Sequence, residues 1–232
     1  MAEHAYQLLA NARVSKCEEG TVKAGEYTVP RSELSKWKEF LNAFLADAPS
    51  ELLSYAHRPE TFPLEDFRKV PLVSRVESGY TGTHYRVRGS HVRVGTNDSS
   101  PTVYLDAPFG YGLLFRRSDG VWEPISVLAM MPDWKSSRLK VDQLQAGSTS
   151  RQRMTTKEGW RSRMKFKTSP ENMLFDGADE LALRLGMQGI DLRKGGSNKW
   201  FIRDYGNSYE KIAALRSMQD GGGEYYTREL NP

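Results

Sequence analysis

GLLFRRSDGVWEPISVLAMM, residues 112–131, decides the fold class of this chain. Two apolar runs, GLLFRR at 112–117 and VWEPISVLAMM at 121–131, flank Ser118, Asp119 and Gly120, residue types that favour a tight turn. Runs joined this closely read as antiparallel neighbours, because a parallel pair needs a crossover of about a dozen residues or more. Upstream, LVSRV (72–76), HYRVR (84–88), HVRVG (91–95) and TVYLD (102–106) carry the same period of two. GYTG, RGS, TNDSSP and APFGYG separate them as turns. The spacing predicts a mostly antiparallel sheet over residues 71–135, closed as a small barrel or sandwich.

On the N-terminal side the period changes. Residues 2–14 and 32–57 read as helices, the second carrying Leu34, Trp37, Leu41, Phe44 and Leu45 on one face, with Ser32 as its N-cap after Pro30. That stripe predicts Trp37 in the core. Ala48, Pro49 and Ser50 interrupt the helix, and HRPETFPLEDFRKVP (57–71) holds three prolines, as an extended connector does. TVKAGEYTV (21–29) alternates weakly.

On the C-terminal side, Asp176 is placed to cap a helix bearing Ala178, Leu181, Ala182 and Leu185, with Gly186 as its stop. GIDLRKGGSNKWFIRDYG (189–206) reads as a hairpin around Gly195 and Gly196. A last helix from Ser208 carries Tyr209, Ile212, Ala213 and Leu215, and GGGEYYTRELNP (221–232) reads as a flexible tail or docking arm. The whole is α+β: a helical N-terminal part over 1–70, the sheet over 71–135, and a basic segment with a helix–hairpin–helix over 136–232, three regions compatible with one continuous domain.

Composition bounds the function. Hydrophobic content of 38% with 27% charged residues of both signs describes a folded chain. Cys17 stands alone, which excludes an internal disulfide and a Cys-rich zinc site. ISVLAMM (125–131), the longest near-continuous apolar run, is far short of the ~20 residues that span a bilayer. The N-terminus has no basic stretch ahead of its apolar residues, so a cytoplasmic protein without a signal peptide or membrane partner is expected, in a host cytoplasm or virion if the source is viral.

Positive charge is concentrated. Residues 151–167, RQRMTTKEGWRSRMKFK, hold seven Lys or Arg against the single Glu158, and the rest of the chain has a slight acidic excess. Arg151, Arg153, Lys157, Arg161, Arg163, Lys165 and Lys167 alternate with Met154, Trp160, Met164 and Phe166, a mixture that pairs phosphate contacts with base stacking. If 84–88 and 91–95 pair as a hairpin, Arg86, Arg88, His91 and Arg93 share one face with His84, as a phosphate cradle or an ordinary solvated face.

The leading expectation is therefore a nucleic-acid-binding protein, without sequence preference, that uses these residues with Trp160 and Phe166 for stacking. A viral or phage assembly subunit, whose basic segment and C-terminal arm contact neighbours or packaged genome, is the second reading. An acidic protein surface and a homo-oligomer are the partners it adds. An enzyme comes third: Arg88, then Ser148, Thr149 and Ser150, then Glu224 or Glu229 follow the order used by one class of ADP-ribosyltransferases, from which no family is claimed. No catalytic motif, metal site or cofactor signature is expected, His84 and His91 being the two histidines that could meet.

Overall fold

The structure, a computed structural model, describes residues 21–24, 27–46, 67–73, 79–81, 84–86, 90–93, 102–107, 109–116, 120, 122–146, 170–195 and 206–230. Its elements run β1 (Thr21–Ala24), β2 (Tyr27–Pro30), α1 (Leu34–Leu45), β3 (Phe67–Val73), β4 (Gly79–Thr81), β5 (His84–Arg86), β6 (Ser90–Arg93) and β7 (Thr102–Leu105). They continue with β8 (Phe109–Arg116), β9 (Trp122–Asp133), β10 (Arg138–Ala146), α2 (Pro170–Arg184), β11 (Gly189–Arg193), α3 (Gly206–Leu215), β12 (Gln219–Asp220) and β13 (Tyr225–Glu229).

An α+β architecture is present: among the described residues, seven strands form one mixed sheet in the order β12-β13-β11-β10-β9-β8-β3, and three helices contribute to its core. Where a barrel or sandwich was expected, the described strands form this open sheet, with β12 and β3 at its ends. β1–β2, β4–β5 and β6–β7 are separate two-stranded sheets.

The strands of GLLFRRSDGVWEPISVLAMM pair as the spacing predicts, from Phe109 opposite Met130 to Arg116 opposite Trp122. Gly120 in the turn has φ +79°, which glycine adopts at no steric cost. APFGYG departs from its expected role. Phe109, Gly110, Tyr111 and Gly112 lie inside β8, and a Cβ on Gly110 would stand 2.3 Å from the Leu128 carbonyl oxygen. Glycine there permits close approach within a sheet, not a turn.

Alternation assigns the two faces. Phe109, Tyr111 and Leu113 of β8, Leu128 and Met130 of β9, Leu139 and Val141 of β10, and Ile190 and Leu192 of β11 join the helices in one buried cluster. Trp37, Phe40, Leu41 and Phe44 of α1 belong to it, so the expected core position of Trp37 is observed, with Phe40 added. Phe40 meets Phe109 edge-on at 4.9 Å between centroids, and Phe44 tilts on Tyr111 at 5.0 Å. The other face holds a smaller cluster of Leu72, Leu105, Ala107, Leu114, Val127 and Ala129.

Several expected boundaries move. Ser32 lies in a 3-10 turn over Arg31–Glu33 and α1 begins at Leu34, so Ser32 is not the N-cap. α2 begins six residues before Asp176, at Pro170, whose missing N–H costs nothing in a first turn; Met173, Leu174 and Phe175 extend its buried face. Gly186 does end it: φ is +62°, its N–H donates to Leu183 O at 3.0 Å and that of Met187 to Ala182 O at 3.0 Å. The hairpin expected at 189–206 is replaced by β11, which pairs parallel to β10 and antiparallel to β13; residues 196–205 lie outside the described set. The expected tail supplies β13, an inner strand between β11 and β12. Leu215, expected on the apolar stripe of the last helix, is 72% exposed.

Candidate functional site

β10 is where the sheet changes character. RLKVDQLQA alternates charged and apolar residues, and β10 pairs antiparallel with β9 from Arg138 opposite Asp133 to Ala146 opposite Ser126. A bulge between Val141 and Gln143 interrupts that ladder at Asp142. On its other edge β10 pairs parallel with β11 only over Arg138–Val141, opposite Gly189–Leu192. Among the described strands, β10 beyond the bulge keeps β9 as its partner while β11 stops at Arg193. At this parting the buried N–H of Leu144 donates to the Tyr209 hydroxyl of α3 at 2.8 Å.

Titratable groups gather around the bulge. The Tyr225 hydroxyl donates to Asp142 Oδ1 at 2.7 Å. Burial pushes the Asp142 carboxyl above its ordinary value, against the opposing pull of the Tyr225 hydrogen bond and of Arg193 and Lys140. Burial, then the Asp142 charge, pushes the Tyr225 phenol up in turn. Asp106, just after β7, is also raised by burial, with Arg193 opposing and Asp142 adding to the rise. Its backbone N–H donates to the Gln143 side-chain oxygen at 3.0 Å, which ties the end of β7 to the bulge.

Ion pairs brace this strip on the same sheet face. Arg138 lies over Gly189, where a Cβ would come within 2.3 Å of the guanidinium carbon. From there Arg138 reaches Asp191 at 2.6 Å and Glu229 at 2.5 Å, and donates to Arg228 O at 3.0 Å. Lys140 pairs with Asp133 at 2.7 Å and sits 5.7 Å from the Tyr225 ring centre. Such partly buried pairs contribute little net stability, but each fixes the geometry of its neighbours. Chemically, a buried carboxylate whose proton affinity is raised can act as a proton acceptor, and a strand edge offers N–H and C=O groups to an extended ligand.

Of the expected site residues, Arg86, His91 and Arg93 fall among the described ones. Arg86 lies in β5, which pairs with β4, while His91 and Arg93 lie in β6, which pairs with β7. The cradle hairpin of 84–88 with 91–95 is therefore not formed, and His84 and His91 stand in different sheets. Arg88, Arg151, Arg153, Lys157, Trp160, Arg161, Arg163, Lys165, Phe166 and Lys167 lie outside the described residues, as do Cys17 and residues 148–150. Glu229 is in β13 and Glu224 just precedes it. Among the described residues no group of three His, Cys, Asp or Glu could hold a metal ion, and no helix is long and apolar enough to cross a membrane.

No protein-family model matches the chain, and no curated protein does. Solved structures do. The chain is similar to a nourseothricin acetyltransferase, with 13% identity, a TM-score of 0.32, and coverage of 80% of this chain and 96% of that one. It is also similar to a protein of Bacillus anthracis str. Ames assigned as a streptothricin acetyltransferase and solved in complex with acetyl coenzyme A, with 12% identity, a TM-score of 0.30, and coverage of 72% and 88%. Both are named as acetyltransferases; neither is the nucleic-acid-binding or virion-assembly protein expected from the sequence.

Proposed function

We propose that the chain is an acyltransferase that moves an acyl group from a thioester donor to an amine. The observation that carries this reading is the parting of β10 from β11: β10 runs on to Ala146 after its parallel pairing ends at Val141. A donor arm containing amides can lie along such an edge, hydrogen-bonding the main-chain groups of β10 that Tyr209 leaves open beyond Val141. The two acetyltransferases named above suggest the class of group transferred.

The residues at the parting supply the proton traffic. The amine nitrogen attacks the thioester carbonyl, a C–N bond forms and the C–S bond breaks. Asp142 takes the proton the amine loses, its carboxylate oriented by the Tyr225 hydroxyl. The departing thiolate takes its proton from the Tyr209 hydroxyl, set at Leu144 of β10.

Calorimetric titration of the full chain with acetyl coenzyme A, followed by a free-thiol assay with simple primary amines, tests the reading. Saturable binding and amine-dependent thiol release are expected. A chain that neither binds the thioester nor releases thiol overturns it.

A further inference from the structure

The geometry points to Arg216 as a positioning residue for Tyr209, acting through α3. This inference rests on the acyltransferase reading for its functional meaning, and on contacts alone for its structural part. Arg216 directly follows the last residue of α3, seven residues and two turns beyond Tyr209; its N–H still donates to Ile212 O at 3.0 Å, so the two side chains leave from nearly the same side of the helix. One end of that side meets the sheet, where the Tyr209 hydroxyl accepts from Leu144 N–H at 2.8 Å. The other end meets α2.

Arg216 holds α2 at several points. Its guanidinium bonds Asp176 Oδ1 at 2.5 Å, Asp179 Oδ2 at 3.0 Å and Asn172 O at 2.9 Å, and its carbon lies 5.2 Å from the centre of the Phe175 ring. Arg228 of β13 bonds the other oxygen of Asp179, so the cluster joins α3, α2 and the sheet. A fork of donors fixed in this way resists rotation of α3 about its own axis, which a point charge would not. Rotation is the motion that would swing the Tyr209 hydroxyl off Leu144. Among the described residues, α3 also packs Ile212 and Ala213 into the core, and apolar packing is not directional.

Amide hydrogen exchange reads this directly, without any substrate. In Arg216→Lys the charge stays and the fork is lost, and exchange at the Leu144 amide is expected to quicken about tenfold while the Leu139 amide, paired in the sheet, is unchanged. Asp179→Asn, which keeps the shape of the acceptor and removes its charge, is expected to give a smaller change in the same direction. The activity readout is a cycle with Tyr209→Phe: Arg216→Lys lowers kcat in the native background and adds less than about twofold once Tyr209 is Phe.

Unchanged protection of Leu144 in both folded variants overturns the inference, whatever the chain's activity. Multiplicative losses of kcat in the double variant overturn the route through Tyr209. A chain with no thioester turnover at all refutes the acyltransferase reading instead, and the exchange result then still decides the structural part. If Arg216→Lys does not fold, Asp179→Asn carries the same test.

Discussion

The two ends of the sheet are built from different physics. At the α1 end, Trp37, Phe40, Phe44, Phe109 and Tyr111 interlock ring against ring, and stability comes from apolar area removed from water. At the β10–β11–β13 end, one face carries Arg138, Lys140, Asp142, Asp191, Arg193 and Tyr225, held by directional bonds and costly to desolvate. The first arrangement tolerates many sequences that keep volume and pattern. The second is specified atom by atom, as expected where geometry serves chemistry instead of stability.

The largest expected effect tests that distinction. Asp142→Asn keeps an oxygen for the Tyr225 hydroxyl and removes the proton acceptor, so kcat/KM for acyl transfer is expected to fall by about 10²- to 10⁴-fold. Stability should move the other way. Because burial raises the Asp142 carboxyl above 3.8, the folded state holds its proton more tightly than the unfolded chain does. The stability that this group contributes is present below its unfolded value and is lost as pH rises through its raised folded value. At pH 7 the Asn variant should therefore melt higher than the native chain, and the gain should vanish at acid pH. A lower melting temperature at pH 7 would place Asp142 among the structural ion pairs instead.

At the packed end the signs reverse. Phe40→Ala is expected to cost about 3–5 kcal/mol in denaturant unfolding, through lost transfer energy and the cavity left beside Phe109. Acyl transfer per folded molecule should not change. Gly110→Ala is a milder version of the same test: its methyl would meet the Leu128 carbonyl oxygen, part of the backbone, and about 1–3 kcal/mol is expected for the shift of β8 away from β9. A neutral result for both would show that the sheet yields more readily than its contacts imply.

Legibility from sequence follows the same division. The α1 stripe and the β8–β9 hairpin could be read because apolar burial imposes a period, and periods survive in one dimension. β10 is legible as well: Leu139 and Val141 alternate with Lys140 and Asp142, a strand pattern. The site itself is not. Asp106, Asp142, Tyr209 and Tyr225 share no motif and span more than a hundred residues, and Asp106, Tyr209 and Tyr225 each reach β10 by a separate long-range contact that no sequence period announces. The pattern of basic residues in 151–167, expected to bind phosphate, is legible in the sequence, but it lies outside the described residues.

The smallest effect concerns how α2 and α3 end, both at the β10–β11–β13 end of the sheet, and it acts through the backbone alone. Both helices close in the same way: Ser217 N–H donates to Ala214 O at 3.1 Å and Met218 N–H to Ala213 O at 2.9 Å, matching the pattern at Gly186 and Met187. Yet Ser217 adopts φ +52° with a side chain, where Gly186 adopts +62° without one. A left-handed L-residue costs roughly 1–2 kcal/mol, and glycine returns about 0.4–1 kcal/mol of that as entropy of the unfolded chain. Ser217→Gly is thus expected to gain about 0.5 kcal/mol, a rise of roughly 1–2 °C in melting temperature, whereas Gly186→Ser loses a comparable amount. Because Ser217 follows Arg216 directly, the same variant probes whether the exit of α3 fixes Tyr209. Leu144 exchange unchanged in Ser217→Gly, beside quickened exchange in Arg216→Lys, assigns the positioning to the guanidinium and not to the turn.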